Sequence, residues 1–175
     1  MTNVQLSATR RAGRIVVGVT GSPSSAAALR RAVHEARRTG RVLVAVLAWE
    51  PWGGEVAYQK SADRSLETLW EHKARGRLTA AFEEVFGGVP DDIEVQTAVV
   101  RGPAAEVLSA FADQADDLLV LGAGPRRTVT GLGRGHVRRR AVARSAAPAL
   151  LVAPPRLRRS ARRTLRHLTP DDFAG

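Results

Sequence analysis

The fold is decided by a single stretch, RIVVGVTGSPSSAAALRRAV, which runs from Arg14 to Val33. After the opening arginine, its first residues form a short apolar run rich in β-branched side chains, as expected of a buried strand. Ser22 followed by Pro23 is typical of a helix N-cap and the first helical position. The later apolar residues recur at helical spacing, and Gly40 stands where the helix is expected to end. The stretch therefore predicts a strand, a turn and a helix.

The rest of the chain repeats this alternation of strand and helix. Continuous apolar runs predict further strands at 42–49, 93–100, 117–122 and 148–152. Helical spacing of apolar residues predicts further helices at 62–86, 103–115 and 136–145. Unbroken apolarity indicates strands that are buried on both faces, as in parallel sheets. The order predicts an α/β, Rossmann-like fold, in which an open five-stranded parallel sheet carries helices on both faces.

Charge divides the chain into three parts. The 175 residues include 27 basic and 17 acidic side chains, for a net charge of +10, and 25 of the basic residues are arginine. We expect a flexible N-terminal tail (1–13) with a charge of +2, a domain (14–155) with +4, and an Arg-rich C-terminal tail (156–175) with +4. Because 44% of the residues are hydrophobic, the chain can bury a core of its own.

Composition excludes several classes of site. The chain has no cysteine, so disulfides, thiolate-bound zinc, iron–sulfur clusters and thiol nucleophiles are excluded. No apolar run approaches the ~20 residues that span a bilayer, and residues 1–13 lack the apolar core of a signal peptide. The four histidines are scattered, with no pair one helical turn apart, so no metal site is expected. These features predict a cytoplasmic protein without a membrane partner.

An acid-free, glycine-rich segment follows the fourth predicted strand. Residues 122–135 read GAGPRRTVTGLGRG, and the longer stretch 122–144 contains seven arginines and no acidic residue. In an open α/β sheet, ligands bind beyond the carboxyl ends of the strands, and glycine lets the backbone come close to a phosphate. The segment therefore predicts a site for an anion, although a run of basic residues is equally typical of a solvated surface.

The order of elements and several motifs together resemble the universal stress protein family. The likeness covers roughly residues 13–154 and rests on the opening stretch, VAVLAWEP (44–51), VVRGPAAEVLSAFADQADDLLVLGAG (99–124) and GLGRGHVRRRAVARSAAPALLVAPP (131–155). The resemblance implies the strand order 3-2-1-4-5 and a homodimer in which the last strand pairs across the interface. The residues of that strand are Pro148, Ala149, Leu150, Leu151 and Val152.

Many members of this family bind ATP through the signature G-x2-G-x9-G-[ST] after the fourth strand. In this chain Gly122 and Gly135 match the first and third glycines, but Pro125 replaces the second and His136 replaces the Ser or Thr. Thr20 stands where the family has an aspartate at the adenine site. Proline has no N–H to donate to a phosphate, and threonine offers no carboxylate. The resemblance therefore implies ATP or another adenine nucleotide as a weakly bound or altered ligand.

The candidate nucleotide- or phosphate-binding residues combine this loop with the ends of the first two strands. They are Thr20, Gly21, Ala48, Gly122, Pro125, Arg126, Arg127, Gly135, His136, Val137 and Arg138. No catalytic residue is assigned, because the serines at 22, 24 and 25 fit cap and turn positions. Asp91–Asp92 and Asp116–Asp117 are expected to be solvated turn residues at the opposite edge of the sheet. Trp49 and Trp52 flank the end of the second strand, where packing in the core and a lid is favoured and stacking on a base is the alternative.

These observations predict a universal stress protein-like module for regulation or stress response that binds an anionic small molecule and has no catalytic turnover. An alternative is a nucleic-acid- or ribosome-associated protein that uses the basic tails and the fourth helix, with binding that falls steeply as salt rises. A slow ATPase is the least favoured function.

Overall fold

The computed structural model describes residues 13–51, 64–124 and 134–154. Strands and helices alternate throughout these ranges. In chain order they are β1 (Ile15–Gly18), α1 (Pro23–Thr39), β2 (Leu43–Trp49), α2 (Arg64–Phe86), β3 (Val95–Arg101), α3 (Ala104–Phe111), β4 (Leu118–Gly122), α4 (Arg134–Arg144) and β5 (Ala149–Val152). Most of the expected N-terminal tail, all of the expected C-terminal tail and most of the predicted loop after β2 lie outside the described residues.

The strands form one parallel sheet in the order β3-β2-β1-β4-β5, as predicted. β1 lies at its centre, with Ile15 level with Leu43 of β2 and with Leu118 of β4. Helices α1 and α2 contribute side chains to the core layer on one face, and α3 and α4 contribute to the layer on the other. Because β1 faces both layers, Ile15, Val16 and Val17 are all fully buried, which explains its unbroken apolar run.

Helix α1 begins and ends at the residues that its sequence predicts. The side chain of Ser22 accepts a hydrogen bond from the amide of Ser25 at 3.3 Å, and the side chain of Ser25 accepts one from the amide of Ser22 at 3.1 Å. This reciprocal capping box satisfies amides that would otherwise have no partner in the first turn. Gly40 closes the helix with a left-handed φ of 66°, a conformation that glycine adopts without strain.

Helix α3 ends at Phe111, four residues before the predicted end at Ala115. The guanidinium of Arg14 donates to the carbonyl oxygen of Phe111 at 2.9 Å, and the hydroxyl of Ser145 donates to that of Ala112 at 3.0 Å. These two tertiary contacts take up carbonyl groups at the helix end and lead the chain into the turn before β4. The early end is therefore set by residues distant in the sequence.

Asp117 was expected to be solvated, but its side chain is only 1% exposed. It accepts hydrogen bonds from the backbone amide of Arg14 at 2.7 Å and from the guanidinium of Arg14 at 2.8 Å, and so ties β1 to β4 at the amino edge of the sheet. Burial raises the pKa of Asp117, but the hydrogen bonds from Arg14 and from the amide of Gln114, together with the Arg14 charge, lower it by more. The net pKa therefore lies below the ordinary value for aspartate.

Helix α2 runs without a break through a weakly apolar middle. Ala74, Leu78 and Phe82 are buried in the core layer that α2 shares with α1. Gly76 is exposed on another side of the helix, and a Cβ added there would meet no heavy atom within 4 Å. Glycine inside a helix costs about 1 kcal/mol relative to alanine, so packing against neighbours does not explain its presence.

Candidate functional site

The topology of the sheet creates a crevice at its carboxyl edge, between β1 and β4. The chain leaves β1 for α1 on one face, and it leaves β4 toward α4 on the opposite face. Two neighbouring strands whose connections diverge in this way define the switch point at which open α/β sheets bind ligands. This crevice is therefore the place where a ligand is expected.

The turn after β1 supplies the first wall of the crevice. Thr20 and Gly21 are both exposed, and Gly21 has a left-handed φ of 74°. The hydroxyls of Thr20 and Ser22 lie 3.0 Å apart, and the amide of Thr20 donates to the side chain of Ser25 at 3.2 Å. Because the capping serines take up several amides of this turn, the group that Thr20 offers to a ligand is its hydroxyl.

The end of β4 lies directly against the first turn of α1. A Cβ added to Gly122 would lie 2.6 Å from the carbonyl carbon and oxygen of Ser24, which is closer than real Cβ atoms come to backbone. Only glycine permits this approach. The first glycine of the loop therefore has a packing role that brings β4 and the turn after β1 together.

Arg138 supplies a positive charge at the same place. Its half-buried side chain packs against Gly124, a glycine with a left-handed φ of 65°. Nη1 of Arg138 donates to the carbonyl oxygen of Gly122 at 3.5 Å, the long limit of a hydrogen bond. A guanidinium held this loosely to a neutral carbonyl retains donors for a stronger acceptor, such as a phosphate oxygen.

The remaining candidate residues lie on α4, on β2 or outside the described part of the chain. His136 and Val137 are exposed in the first turn of α4, and Gly135 belongs to the backbone of that turn. Ala48 lies near the end of β2 and packs in the core layer shared by α3 and α4. Three predicted site residues lie outside the described part of the chain: Pro125, Arg126 and Arg127.

Sequence reasoning missed Gly124 and Ser24, whose importance depends on contacts between distant elements. The GAG triplet at 122–124 was the available signal for Gly124, because glycine before proline is typical of a turn. Trp49 is buried and lies 6.4 Å from Trp70, centroid to centroid, which agrees with the expected packing role.

Three further features concern a second subunit, a metal ion and a membrane. β5 forms one edge of the sheet, and Leu151 on that strand is 52% exposed. Among the described residues, no group of three or more metal-ligating side chains is close enough to hold an ion. No helix in this part of the chain is long and apolar enough to cross a membrane.

The chain matches known proteins over most of its length. The model of the universal stress protein family matches residues 12–153. A universal stress protein of Mycobacterium tuberculosis is 30% identical over 145 residues, which are 81% of this chain and 44% of that protein. The chain thus spans about half the length of the curated relatives that it matches.

Solved structures of universal stress proteins resemble the chain as well. One, crystallised in complex with cAMP, is 26% identical, covers 83% of this chain and 99% of its own, and has a TM-score of 0.52. The protein UspA from Lactobacillus plantarum is 21% identical, covers 81% of this chain and 98% of its own, and has a TM-score of 0.59. The second likeness concerns the fold alone.

Proposed function

The chain belongs to the universal stress protein family, and from this premise we propose that it is a regulatory module that binds an adenine nucleotide without catalytic turnover. The site is the crevice between β1 and β4. The nucleotide's phosphate binds the guanidinium of Arg138, and its sugar or base lies toward the hydroxyl of Thr20.

One observation carries this proposal, namely the position of Arg138 against Gly124 at the end of β4. Its hydrogen bond to the carbonyl of Gly122 is long at 3.5 Å. A phosphate can accept two parallel hydrogen bonds from a guanidinium, at about 2.7–2.9 Å, and is therefore the stronger partner. The relative crystallised with cAMP supports an adenine nucleotide as the ligand.

The departures from the family's ATP signature favour a ligand with a single phosphate group. Pro125 lacks the amide that a glycine would offer to a polyphosphate. Thr20 offers a hydroxyl where the family has a carboxylate, which weakens the grip on the sugar or base. We therefore expect cAMP or AMP to bind at least as well as ATP, with modest affinity.

The test is a calorimetric titration of the full chain with cAMP, AMP, ATP and a short RNA, each at low and high salt. We expect saturable binding of cAMP or AMP at one site per chain that persists at high salt. The variant Arg138→Gln should bind about tenfold more weakly, because it loses a charged hydrogen bond worth about 1.5 kcal/mol. Arg139→Gln, an exposed neighbour on the same helix, is the matched control.

Other outcomes would refute the proposal. If Arg138→Gln and Arg139→Gln bind the nucleotide equally well, Arg138 does not belong to the site. Tighter binding of ATP than of cAMP or AMP would contradict the expected preference for a single phosphate group. Binding of RNA alone would favour the nucleic-acid alternative. Release of more than one phosphate from ATP per chain would establish turnover.

We also propose that the chain forms a homodimer through β5. The position of β5 at the edge of the sheet and the exposure of Leu151 support this assembly. Light scattering after gel filtration should give a dimer for the natural chain and a monomer for Leu151→Lys. Leu69→Lys is the matched control, because Leu69 is 45% exposed on α2, away from β5. A monomeric natural chain would contradict the proposal.

A further inference from the structure

A second cleft lies beside the end of β2, on the face of the sheet that α2 covers. It has a volume of about 590 Å³. Clefts of roughly 300–1,000 Å³ suit small molecules. The lining residues are Trp49, Glu50, Trp70, Lys73, Gly76, Arg77 and Ala80. All of those from α2 are spaced along one side of the helix, and the proposed nucleotide site shares none of them.

The wall of the cleft is aromatic. Trp49 is almost fully buried, and Trp70 is half-buried beside it, with the two ring centroids 6.4 Å apart and the ring planes inclined by 55°. The guanidinium of Arg101 lies 6.0 Å from the centre of the Trp49 ring and helps to fix its position. Trp70 therefore presents part of a well-supported aromatic surface to the cleft.

Two positive charges stand next to this surface. Lys73 and Arg77 are exposed one helical turn apart, and no hydrogen bond or ion pair joins either side chain to another residue in the described part of the chain. Like charges at this spacing repel each other on a helix. Glu50 also lines the cleft, so the net charge of its ionisable groups is +1. An anion between Lys73 and Arg77 would relieve their repulsion.

Gly76 lines the cleft. It lies between the two cations in the sequence, and a Cβ there would contact no heavy atom within 4 Å. Alanine would fit equally well and would favour the helix. A larger side chain at this position would extend into the open space of the cleft.

We propose that this cleft is a second binding site, for a small planar aromatic molecule that carries one anionic group. The ring contacts Trp70, and the anionic group lies between Lys73 and Arg77. The site shares no residue with the proposed nucleotide crevice. Trp49 and α2 belong to the core layer on one face of the sheet, whereas Ala48, the candidate nucleotide residue on β2, packs in the layer on the other face.

The experiment uses 8-anilinonaphthalene-1-sulfonate, whose planar naphthalene ring carries one sulfonate, titrated into the full chain while tryptophan fluorescence is recorded. We expect saturable binding of one probe per chain, with quenching of the tryptophans. The uncharged analogue N-phenyl-1-naphthylamine should bind about tenfold more weakly. The double variant Lys73→Gln, Arg77→Gln should show the same loss, which corresponds to about 1.4 kcal/mol.

Matched variants distinguish binding in the cleft from nonspecific binding of the probe elsewhere on the protein. Gly76→Leu should weaken binding by occupying part of the cleft, whereas Gly76→Ala should bind as the natural chain does. Arg75→Gln, which removes a charge from the same helix that is paired with Glu71, should also leave binding unchanged. Thermal unfolding of each variant verifies that it is folded.

Three results would overturn the proposal. The first is probe binding that does not saturate at one molecule per chain. The second is equal affinity in the natural chain and in Gly76→Leu or the double variant. The third is displacement of the probe by cAMP, because it would make the cleft part of the nucleotide site. Failure of both cAMP and AMP to bind would refute the proposed function alone.

Discussion

At the scale of the residue, the fold depends on the carboxylate of Asp117, which the sequence alone suggests is a solvated turn residue. Asp117 is buried and accepts hydrogen bonds from the amide and guanidinium of Arg14. In Asp117→Asn the charge is lost and one oxygen becomes a donor facing other donors. We expect the free energy of unfolding to fall by about 2 kcal/mol at pH 7, the contribution of hydrogen bonds to a charged group.

The same pair predicts a dependence on pH. The folded pKa of Asp117 is lowered below its unfolded value, which is about 3.9 for aspartate. Its stabilisation is therefore complete above the unfolded pKa and is lost as the pH falls toward the folded pKa. Urea unfolding should give a difference between the natural chain and Asp117→Asn that is large at pH 7 and shrinks below about pH 4.

A control separates this effect from general acid destabilisation. Asp92 also pairs with an arginine, Arg37, and its pKa is also lowered by that hydrogen bond, but both side chains are about half exposed. Asp92→Asn should have a much smaller effect at pH 7, because exposed ion pairs contribute little. Equal effects of the two substitutions would show that burial of Asp117 is not what makes it important.

At the scale of the element, replacing either of two glycines by alanine is expected to change the free energy of unfolding in opposite directions. Gly76 lies inside α2 with open space around it, whereas Gly122 at the end of β4 touches the backbone of Ser24. Gly76→Ala should raise the free energy of unfolding by about 1 kcal/mol, the difference in helix propensity. Gly122→Ala should lower it, because the methyl group would push α1 away from β4. Chemical denaturation of both variants tests the pair, and a destabilised Gly76→Ala would be contrary to expectation.

Element boundaries were predictable where local chemistry sets them. Ser22, Pro23 and Gly40 predict the limits of α1 because caps act within one turn of the helix. The end of α3 could not be predicted, because Arg14 and Ser145 reach Phe111 and Ala112 from other parts of the chain. A pattern of apolar residues carries no information about such contacts.

The candidate site was likewise predictable only in part. The sequence predicts that Gly122 and Thr20 lie near each other, since both follow strands that end at one edge of the sheet. It does not predict that Arg138 packs against Gly124, because that contact depends on the path of α4 and on a left-handed backbone at Gly124. Positions along a strand are thus easier to predict than the direction of a side chain from the next helix.

At the scale of the whole molecule, the distribution of charge separates two kinds of partner. Of the net charge of +10, +6 lies in residues 1–13 and 156–175, outside the predicted domain and its proposed nucleotide crevice. Arg138, by contrast, lies at the crevice, next to Gly124. A diffuse polyanion and a small nucleotide should therefore respond differently to salt and to removal of these segments.

We expect a variant without residues 156–175 to fold and to bind cAMP as the full chain does. Any retention of a short RNA at low salt should weaken in this variant, because six arginines are lost. The dependence of its RNA affinity on salt should become shallower, since each phosphate contact contributes about −0.7 to the slope of log K against log salt for single strands. Titrations with both ligands at several salt concentrations test this expectation. An unchanged salt slope would assign any RNA binding to the domain itself, and loss of cAMP binding would make the segment part of the nucleotide site.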